Sequence, residues 1–318
     1  MSIRVDELRS HQKRDLIACA PTGSGKTLSF LLPVMHRLLQ CSSGNKKLRA
    51  IILTPVKELA HQILKEATLL ARGTSLSIME LQGSDRNFSS SACDILISTP
   101  LNLLNALEKK NLDPSDIEYL VLDEADKLME TKFIDQTDAL FAALPMNIHR
   151  SMFSATIESN IETLAKTILR DAIRVVIGTK NAATATIKQQ LVFTGTEQGK
   201  IVEIRNMIRT GQLLPPCLIF VQSIERAKEL HKALRAESIR ADVIHAHRDA
   251  PHRQKVVDDF ENGRIWVLIA TDMMGRGMDF RDVKLVINYD FPTSVASYIH
   301  RIGTVLPSRS HSDLLAPY

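Results

Sequence analysis

The sequence predicts an α/β protein of two domains, each a mostly parallel sheet covered by helices on both faces. Three observations carry that expectation. Short apolar runs, strand-sized rather than helix-sized, recur along all 318 residues. Amphipathic stretches lie between them, the βα rhythm that buries a parallel sheet on both sides. A polar, small-residue stretch, Gly178–Gln190, divides the chain into two lengths that each suit one domain.

Taken in order, the first set of strands is Leu16–Ala20, Ala50–Leu53, Ile95–Ser98, Tyr119–Leu122, Ser151–Ser154 and Ile173–Ile177. The second set is Leu191–Thr194, Cys217–Val221, Asp242–His245, Val267–Thr271 and Leu285–Tyr289. Helices are expected over Lys57–Leu70, Ile224–Leu234 and Pro251–Glu261. In Ile224–Leu234 the apolar positions Ile224, Ala227, Leu230 and Leu234 follow helical spacing. The expected organisation is a remnant N-terminal segment over 1–15, a first domain over 16–177, a linker over 178–190 and a second domain over 191–318.

Composition narrows the classes. Hydrophobic residues make up 44% and charged residues 24%, which excludes a disordered chain or a fibre. A net charge of +4 permits nucleic-acid binding without establishing it. Aromatic residues, at 5%, offer no stacking platform for bases. No apolar stretch approaches the ~20 residues of a membrane helix, and the charged start MSIRVDELRSHQKRD has no apolar signal core. Neither membrane nor secretion is expected. Cys19, Cys41, Cys93 and Cys217 stand at no C-x-x-C spacing, so zinc is not expected and a reducing intracellular compartment is.

Ala20-Pro-Thr-Gly-Ser-Gly-Lys-Thr27 follows a predicted strand and opens a predicted helix, the context that a phosphate-binding loop needs. Backbone N–H groups from Thr22 through Gly23, Ser24 and Gly25 to Lys26 can wrap a β-phosphate, the glycines allowing the tight path. The helix N-terminus adds partial positive charge. Lys26 would neutralise β- and γ-phosphates, and the Thr27 hydroxyl would ligate Mg²⁺. Ala20 occupies the first position of the pattern, where glycine is usual.

Val121-Leu-Asp-Glu-Ala-Asp126 closes another apolar strand. Carboxylates at that end of a parallel strand sit where ligands bind in open α/β sheets. Asp123 is suited to hold Mg²⁺, often through water, and Glu124 to orient or deprotonate an attacking water. Chemistry alone assigns Asp126 no role. His245, His247 and His252 lack acid or Cys partners at metal-site spacing, and Met273, Met274 and Met278 read as packing.

These motifs, with Ser154-Ala-Thr156, resemble the DEAD-box RNA helicases, whose name is spelled by residues 123–126. The likeness runs in order over nearly the whole chain. Thr54-Pro-Val-Lys-Glu-Leu-Ala60 is similar to the family's P-T-R-E-L-A, and Thr99-Pro100 stands where T-P-G-R is expected. Leu218-Ile-Phe-Val221, Ala270-Thr-Asp-Met-Met-Gly-Arg-Gly-Met-Asp279, Val286-Ile-Asn-Tyr-Asp290 and Tyr298-Ile-His-Arg-Ile-Gly303 continue it. Phrases such as IFVQSIERAKEL and LVINYDFP resemble the branch serving early small-subunit ribosomal RNA maturation in the nucleolus.

The resemblance implies two RecA-like domains with ATP between them and RNA across both. It assigns Lys26, Thr27, Asp123 and Glu124 to ATP and Mg²⁺, with Gly277 and Asp279 reaching the nucleotide from the second domain. It makes Ser154, Thr156, Asp126, His300 and Arg301 the coupling between nucleotide and RNA. It lines the RNA path with Pro55, Lys57, Glu58, Gly83, Thr99, Pro100, Arg253, Thr271 and Arg276. Contacts to phosphates and 2′-hydroxyls would give sequence tolerance and RNA preference. It also implies pre-ribosomal RNA and ribosome-assembly proteins as partners, a monomer, and a nucleolar location.

Departures from the family carry expectations of their own. Ile3 replaces the adenine-reading Gln, and Gln12 stands at the wrong spacing to replace it. Val56 and Lys57 replace Thr and Arg, removing a hydroxyl and turning a guanidinium fork into a point charge, which weakens phosphate grip. The second-domain H-G-D reads His245-Ala-His247, and the paired glycine motif is reduced to Gly83, flanked by Gln82 and Ser84. Thr304 and Pro307 hold the two arginine-finger positions, with Arg309 two residues late. Fingers contribute roughly 10³–10⁵ in rate, so an ATP-responsive RNA-binding module with impaired turnover is the alternative to an active helicase. The tail TVLPSRSHSDLLAPY is expected to lack the family's next strand, leaving the second domain without its C-terminal part and its sheet with an uncovered edge. Both ends read as cut or replaced.

Overall fold

The computed structural model describes residues 14–40, 47–83, 93–156, 159–178, 187–271, 280, 283–304 and 311–316. It divides into two compact units, Met1–Lys180 and Asn181–Tyr318.

The first unit runs β1 (Leu16–Cys19), α1 (Lys26–Gln40), β2 (Ala50–Leu53), α2 (Lys57–Leu70), β3 (Ile78–Glu80), β4 (Ile95–Ser98), α3 (Pro100–Glu108), β5 (Tyr119–Asp123), α4 (Ala125–Leu128), α5 (Thr131–Ala143), β6 (His149–Ser154), α6 (Ser159–Ile168) and β7 (Ile173–Val176). The strands form one sheet in the order β3-β4-β2-β5-β6-β1-β7, every pair parallel. Side chains alternate across it. Ala50 and Ile52 enter one core cluster, Ile51 and Leu53 the other. That double burial is why the run reads as continuously apolar.

The second unit runs β8 (Lys188–Phe193), α7 (Glu197–Arg209), β9 (Cys217–Val221), α8 (Ile224–Ala236), β10 (Ala241–Ile244), α9 (Ala250–Glu261), β11 (Val267–Thr271), β12 (Leu285–Asn288), α10 (Val295–Gly303) and β13 (His311–Ala316). Its sheet is ordered β10-β11-β9-β12-β13-β8, again all parallel. Leu218 and Phe220 face one core, Cys217, Ile219 and Val221 the other. Helices start at side-chain caps that the sequence supplies: Thr196, Ser223, Asp249 and Ser294 each accept a backbone N–H three residues on.

Three expectations need correction. The tail does supply a strand. β13 pairs with β12 from Leu285↔His311 to Asn288↔Leu314 and with β8 from Lys188↔His311 to Ala316↔Phe193, so β12 is not an open edge. Polar His311, Ser312 and Asp313 hide it from a reading based on apolar runs. β8 is the edge strand instead, with Leu191 and Phe193 exposed, and it begins at Lys188, inside the stretch expected to be linker. β3, too short and too interrupted to register as an apolar run, adds the outer strand of the first sheet. No described helix is long and apolar enough to cross a membrane.

Candidate active site

Parallel sheets gather all loops that follow strands at one end, and the chemistry-bearing segments use that geometry. β1 delivers the loop 20–25 into α1 at Lys26. Gly23 and Gly25 have φ of +74° and +88°, left-handed conformations that glycine adopts freely. A Cβ at either would meet nothing within 4 Å, so the loop's outer face is open for close approach. The Lys26 ammonium donates to the carbonyls of Ala20 (2.8 Å) and Pro21 (3.3 Å), folded back over the loop. Gly23, Ser24 and Gly25 are exposed, and Thr22, Lys26 and Thr27 half-buried.

β6 lies between β1 and β5, so phosphate loop and acidic segment stand two strand spacings apart, about 10 Å. Asp123 ends β5 buried, accepting the Glu124 N–H at 3.0 Å. Burial, with the Glu124 charge adding to it, pushes the Asp123 carboxyl up to about 7, while Lys26 and Lys127 oppose the rise. Glu124 sits at φ 51°, ψ 48°, a left-handed conformation that costs a non-glycine residue about 1–3 kcal/mol. It turns the chain from β5 into α4, and the buried Lys127 ammonium lies 3.8 Å from its carboxylate. A buried hard-oxygen carboxylate pair, with a threonine hydroxyl offered two strands away, is a donor set that fits Mg²⁺.

The Ser154-Ala-Thr156 segment joins the two. The Ser154 carbonyl accepts the Ala20 N–H at 3.0 Å. The Ser154 hydroxyl donates to the Thr156 carbonyl at 2.6 Å, and the Thr156 hydroxyl donates to Asp126 in a short bond. Ser154, Thr156 and Asp126 are all buried.

A second group forms at the ends of β2, β3 and β4. The Thr54 hydroxyl donates to the Val56 carbonyl (2.8 Å), shaping the turn through Pro55 into Lys57 and Glu58. Thr99 caps α3 with Pro100 in its first turn. Gly83 is tightly placed: a Cβ there would lie 3.1 Å from Asn102 Oδ1 and 4.0 Å from Lys57 Nζ. Asn102 escaped the sequence reading, although it follows Thr99-Pro100 at the spacing of the family's last T-P-G-R residue. It is buried and donates to the Leu81 carbonyl at 3.2 Å, bracing the Gly83 turn from within. Segments 54–58, 81–83 and 99–102 thus come together, and 20–27, 123–126 and 154–156 form the neighbouring group.

In the second unit, Thr271 is buried at the end of β11. Arg253, on α9, donates to the Arg248 carbonyl at 2.6 Å and to that of Ala246 at 3.4 Å. Arg301 is fully buried, donating to Asn288 Oδ1 (3.0 Å) and the Asp290 carbonyl (2.6 Å), its guanidinium over the Phe220 ring at 5.1 Å. His300 beside it is buried. Thr304 caps α10 and turns its hydroxyl onto the Arg301 carbonyl at 2.7 Å. Arg276, Gly277, Asp279, Met273, Met274, Met278, Pro307 and Arg309 lie outside the described residues, as do Ile3, Gln12 and Ser84.

Comparison with known proteins aligns with these groups. Residues 5–164 match the DEAD/DEAH box helicase model, and residues 199–306 the helicase conserved C-terminal domain. The chain is 51% identical to DEAD-box ATP-dependent RNA helicase 57 of Oryza sativa subsp. japonica over 91% of its own length and 54% of the relative's. It is 48% identical to ATP-dependent RNA helicase ROK1 of Scheffersomyces stipitis, with 91% and 54% covered. The chain therefore spans about half the length of the curated relatives it matches. Among solved structures, S. cerevisiae Dbp5 bound to RNA and ADP BeF3 superposes with TM-score 0.88 at 27% identity, over 96% of this chain and 80% of that one. Mss116p bound to single-stranded RNA and AMP-PNP gives TM-score 0.87 at 27% identity, over 98% and 68%.

Proposed function

The chain belongs to the DEAD/DEAH box helicase family, and from that premise we propose that it is the two-domain motor part of an ATP-dependent RNA helicase. One observation carries the reading. The Thr156–Asp126 bond and the Ala20–Ser154 bond connect acidic segment, β6 and phosphate loop in one hydrogen-bonded line. A change at the loop is thereby felt at the strand ends that neighbour the 54–58, 81–83 and 99–102 group.

In this reading Lys26 leaves the loop carbonyls to neutralise β- and γ-phosphates while the backbone of 22–26 wraps them. Thr27 and Asp123 hold Mg²⁺, which supplies charge neutralisation of the phosphates. Glu124, held in its strained turn, orients the attacking water and takes its proton. Pro55, Lys57, Glu58, Gly83, Thr99 and Pro100, with Arg253, Thr271 and Arg276, contact RNA phosphates and 2′-hydroxyls. Gly277 and Asp279 serve the nucleotide from the second domain, and His300 and Arg301 belong to the coupling. We take the first domain as 16–177 and begin the second at β8, Lys188, within the stretch expected to be linker. Ribosomal RNA processing in the nucleolus, with pre-ribosomal RNA and assembly proteins as partners and a monomeric state, follows from the branch resemblance.

RNA-stimulated phosphate release by the chain, compared with Lys26→Ala and Glu124→Gln, tests this. Release that is equal in all three would defeat the enzyme reading.

A second reading has an observation behind it. The Thr304 side chain is buried against its own helix, where the family's finger would present a cation. The chain would then bind ATP and RNA with slow turnover. Thr304→Arg with Pro307→Arg raising hydrolysis tenfold or more would support it; an unchanged rate would remove its basis.

A further inference from the structure

Asp290, just past the end of β12, is held from two sides, and the helicase reading uses only one of them. Its carbonyl accepts Arg301 Nη1 at 2.6 Å, the other acceptor of that nitrogen being Asn288 Oδ1 at 3.0 Å. Its carboxylate is gripped by Arg226 of α8. Nε donates to Oδ2 at 2.7 Å and Nη2 to Oδ1 at 2.5 Å. This is a two-armed fork, a geometry that lysine cannot reproduce. The Gln222 N–H adds a bond to Oδ2 at 2.9 Å, and the Gln222 side-chain amide donates to the Phe291 carbonyl at 3.1 Å.

The fork is itself braced. Ser223 caps α8 by accepting the Arg226 N–H at 3.3 Å. Glu197, in the first turn of α7, accepts Arg226 Nη2 at 2.6 Å. Lys200 lies 2.9 Å from Glu197 and 3.3 Å from Asp290. The bonds from Lys200 and Arg226 hold the Glu197 carboxyl below its ordinary range. Both cations stand over the Tyr289 ring, at 5.3 and 5.4 Å. Asp290 and Lys200 are buried, and Arg226 is half-buried.

Asp290 lies in the connection from β12 to α10, the helix that carries His300 and Arg301. With both carboxylate oxygens fixed, the residue cannot turn, and its carbonyl keeps one direction. Arg301 is fully buried over Phe220, and a hydrogen bond needs about 3 Å. A small rotation at Asp290 would therefore take away one acceptor of the Arg301 guanidinium. Lys200 meets the carboxylate through one nitrogen on one oxygen, which leaves the rotation open.

We propose that Arg226 is a positioning residue: through Asp290 it sets the Arg301 guanidinium, and with it the coupling of bound nucleotide to RNA affinity. The inference rests on the helicase reading above, in which Arg301 belongs to the coupling.

The test reads coupling without hydrolysis, so slow turnover does not hide it. Fluorescence anisotropy of a labelled oligouridine gives RNA affinity with saturating AMP-PNP and Mg²⁺, and again without nucleotide. The ratio of the two affinities is the coupling factor. Substitutions within a coupled network change such a factor by roughly 2- to 30-fold. Arg226→Gln should lower the ratio within that range and leave nucleotide-free RNA affinity as it was. Asp290 keeps Lys200 and the Gln222 N–H in this variant, so it should stay folded, as a thermal melt would show. Arg226→Lys keeps the charge without the fork and should also lower the ratio. Lys200→Met leaves the fork in place and should not. A wild-type ratio in Arg226→Gln, full rescue by Arg226→Lys, or an equal fall in Lys200→Met would overturn this inference while leaving the helicase reading in place. No effect of AMP-PNP on wild-type RNA affinity would overturn the coupling reading with it.

Discussion

The Thr156 hydroxyl donates to the Asp126 carboxylate across the gap between the ends of β6 and β5. Both residues are buried, so neither partner can turn to water if the other is removed. Asp126 keeps the Lys127 N–H at 3.0 Å, so the loss is one hydrogen bond to a charged group, about 1.5–3 kcal/mol. Thr156→Val should therefore lower unfolding free energy by that amount in urea titration. A double-mutant cycle with Asp126→Asn should show coupling of about 1 kcal/mol or more. ATP affinity should hold while RNA stimulation of hydrolysis falls. Additive losses would mean that the bond carries no energy.

Asp123 makes stability pH-dependent in a direction that follows from its surroundings. Burial and Glu124 raise its carboxyl to about 7. A group raised above its unfolded value contributes stability that is present below the unfolded value and lost as pH rises through the folded one. Asp123→Asn removes the loss. Its thermal midpoint should exceed that of wild type by a margin that grows from about pH 4 and levels off above about pH 7. With Mg²⁺ held at Asp123 as proposed above, the metal would compete with the carboxyl proton, so Mg-nucleotide binding should weaken below pH 7. Calorimetry in buffers of different ionisation enthalpy reads the released proton directly. A constant margin across pH would contradict the assignment.

Gly83 and Asn102 make a paired test. A methyl at Gly83 would crowd Asn102 Oδ1 at 3.1 Å and reach toward Lys57. Gly83→Ala should reduce RNA affinity several-fold with ATP affinity unchanged. Asn102→Ala in the same background should relieve the crowding but release the Leu81 carbonyl. The double variant should thus recover RNA binding only in part. Full retention of RNA binding by Gly83→Ala would remove this turn from the RNA path.

Far from the site, Asp15 accepts the backbone N–H of Arg150 at 2.9 Å and that of Arg170 at 2.7 Å. One buried carboxylate thereby ties the start of β6 to the connection between α6 and β7. Asp15→Ala orphans two amides, at about 1–3 kcal/mol each. The expected result is a lowered denaturation midpoint with ATP affinity unchanged in whatever remains folded. An unaltered midpoint would show that water replaces the carboxylate.

The elements legible from sequence were those with strong local signatures. Runs such as Ala50–Leu53 and Cys217–Val221, buried on both faces, can only be apolar. The phosphate loop needs glycine at Gly23 and Gly25 because of their backbone angles. Its chemistry, like that of Asp123 and Glu124, is written in residue type and spacing. β13 was not legible, because its first residues are polar and its pairing partners lie more than a hundred residues away in β8 as well as nearby in β12. Asn102 was missed for a related reason: its partners, the Leu81 carbonyl and Gly83, meet it only once β3 and β4 pair. Nor could Arg301 and Thr304 be placed by spacing. The first is folded into the core under Asn288 and Asp290, and the second is turned back on its helix. Residue types and local periodicity by themselves determined the strands buried on both faces and the phosphate loop, and the ordered motifs carried the resemblance to the family. Tertiary structure alone decided which polar groups face each other, because a hydrogen bond forms within about 3 Å and only strand order and register bring distant residues that close.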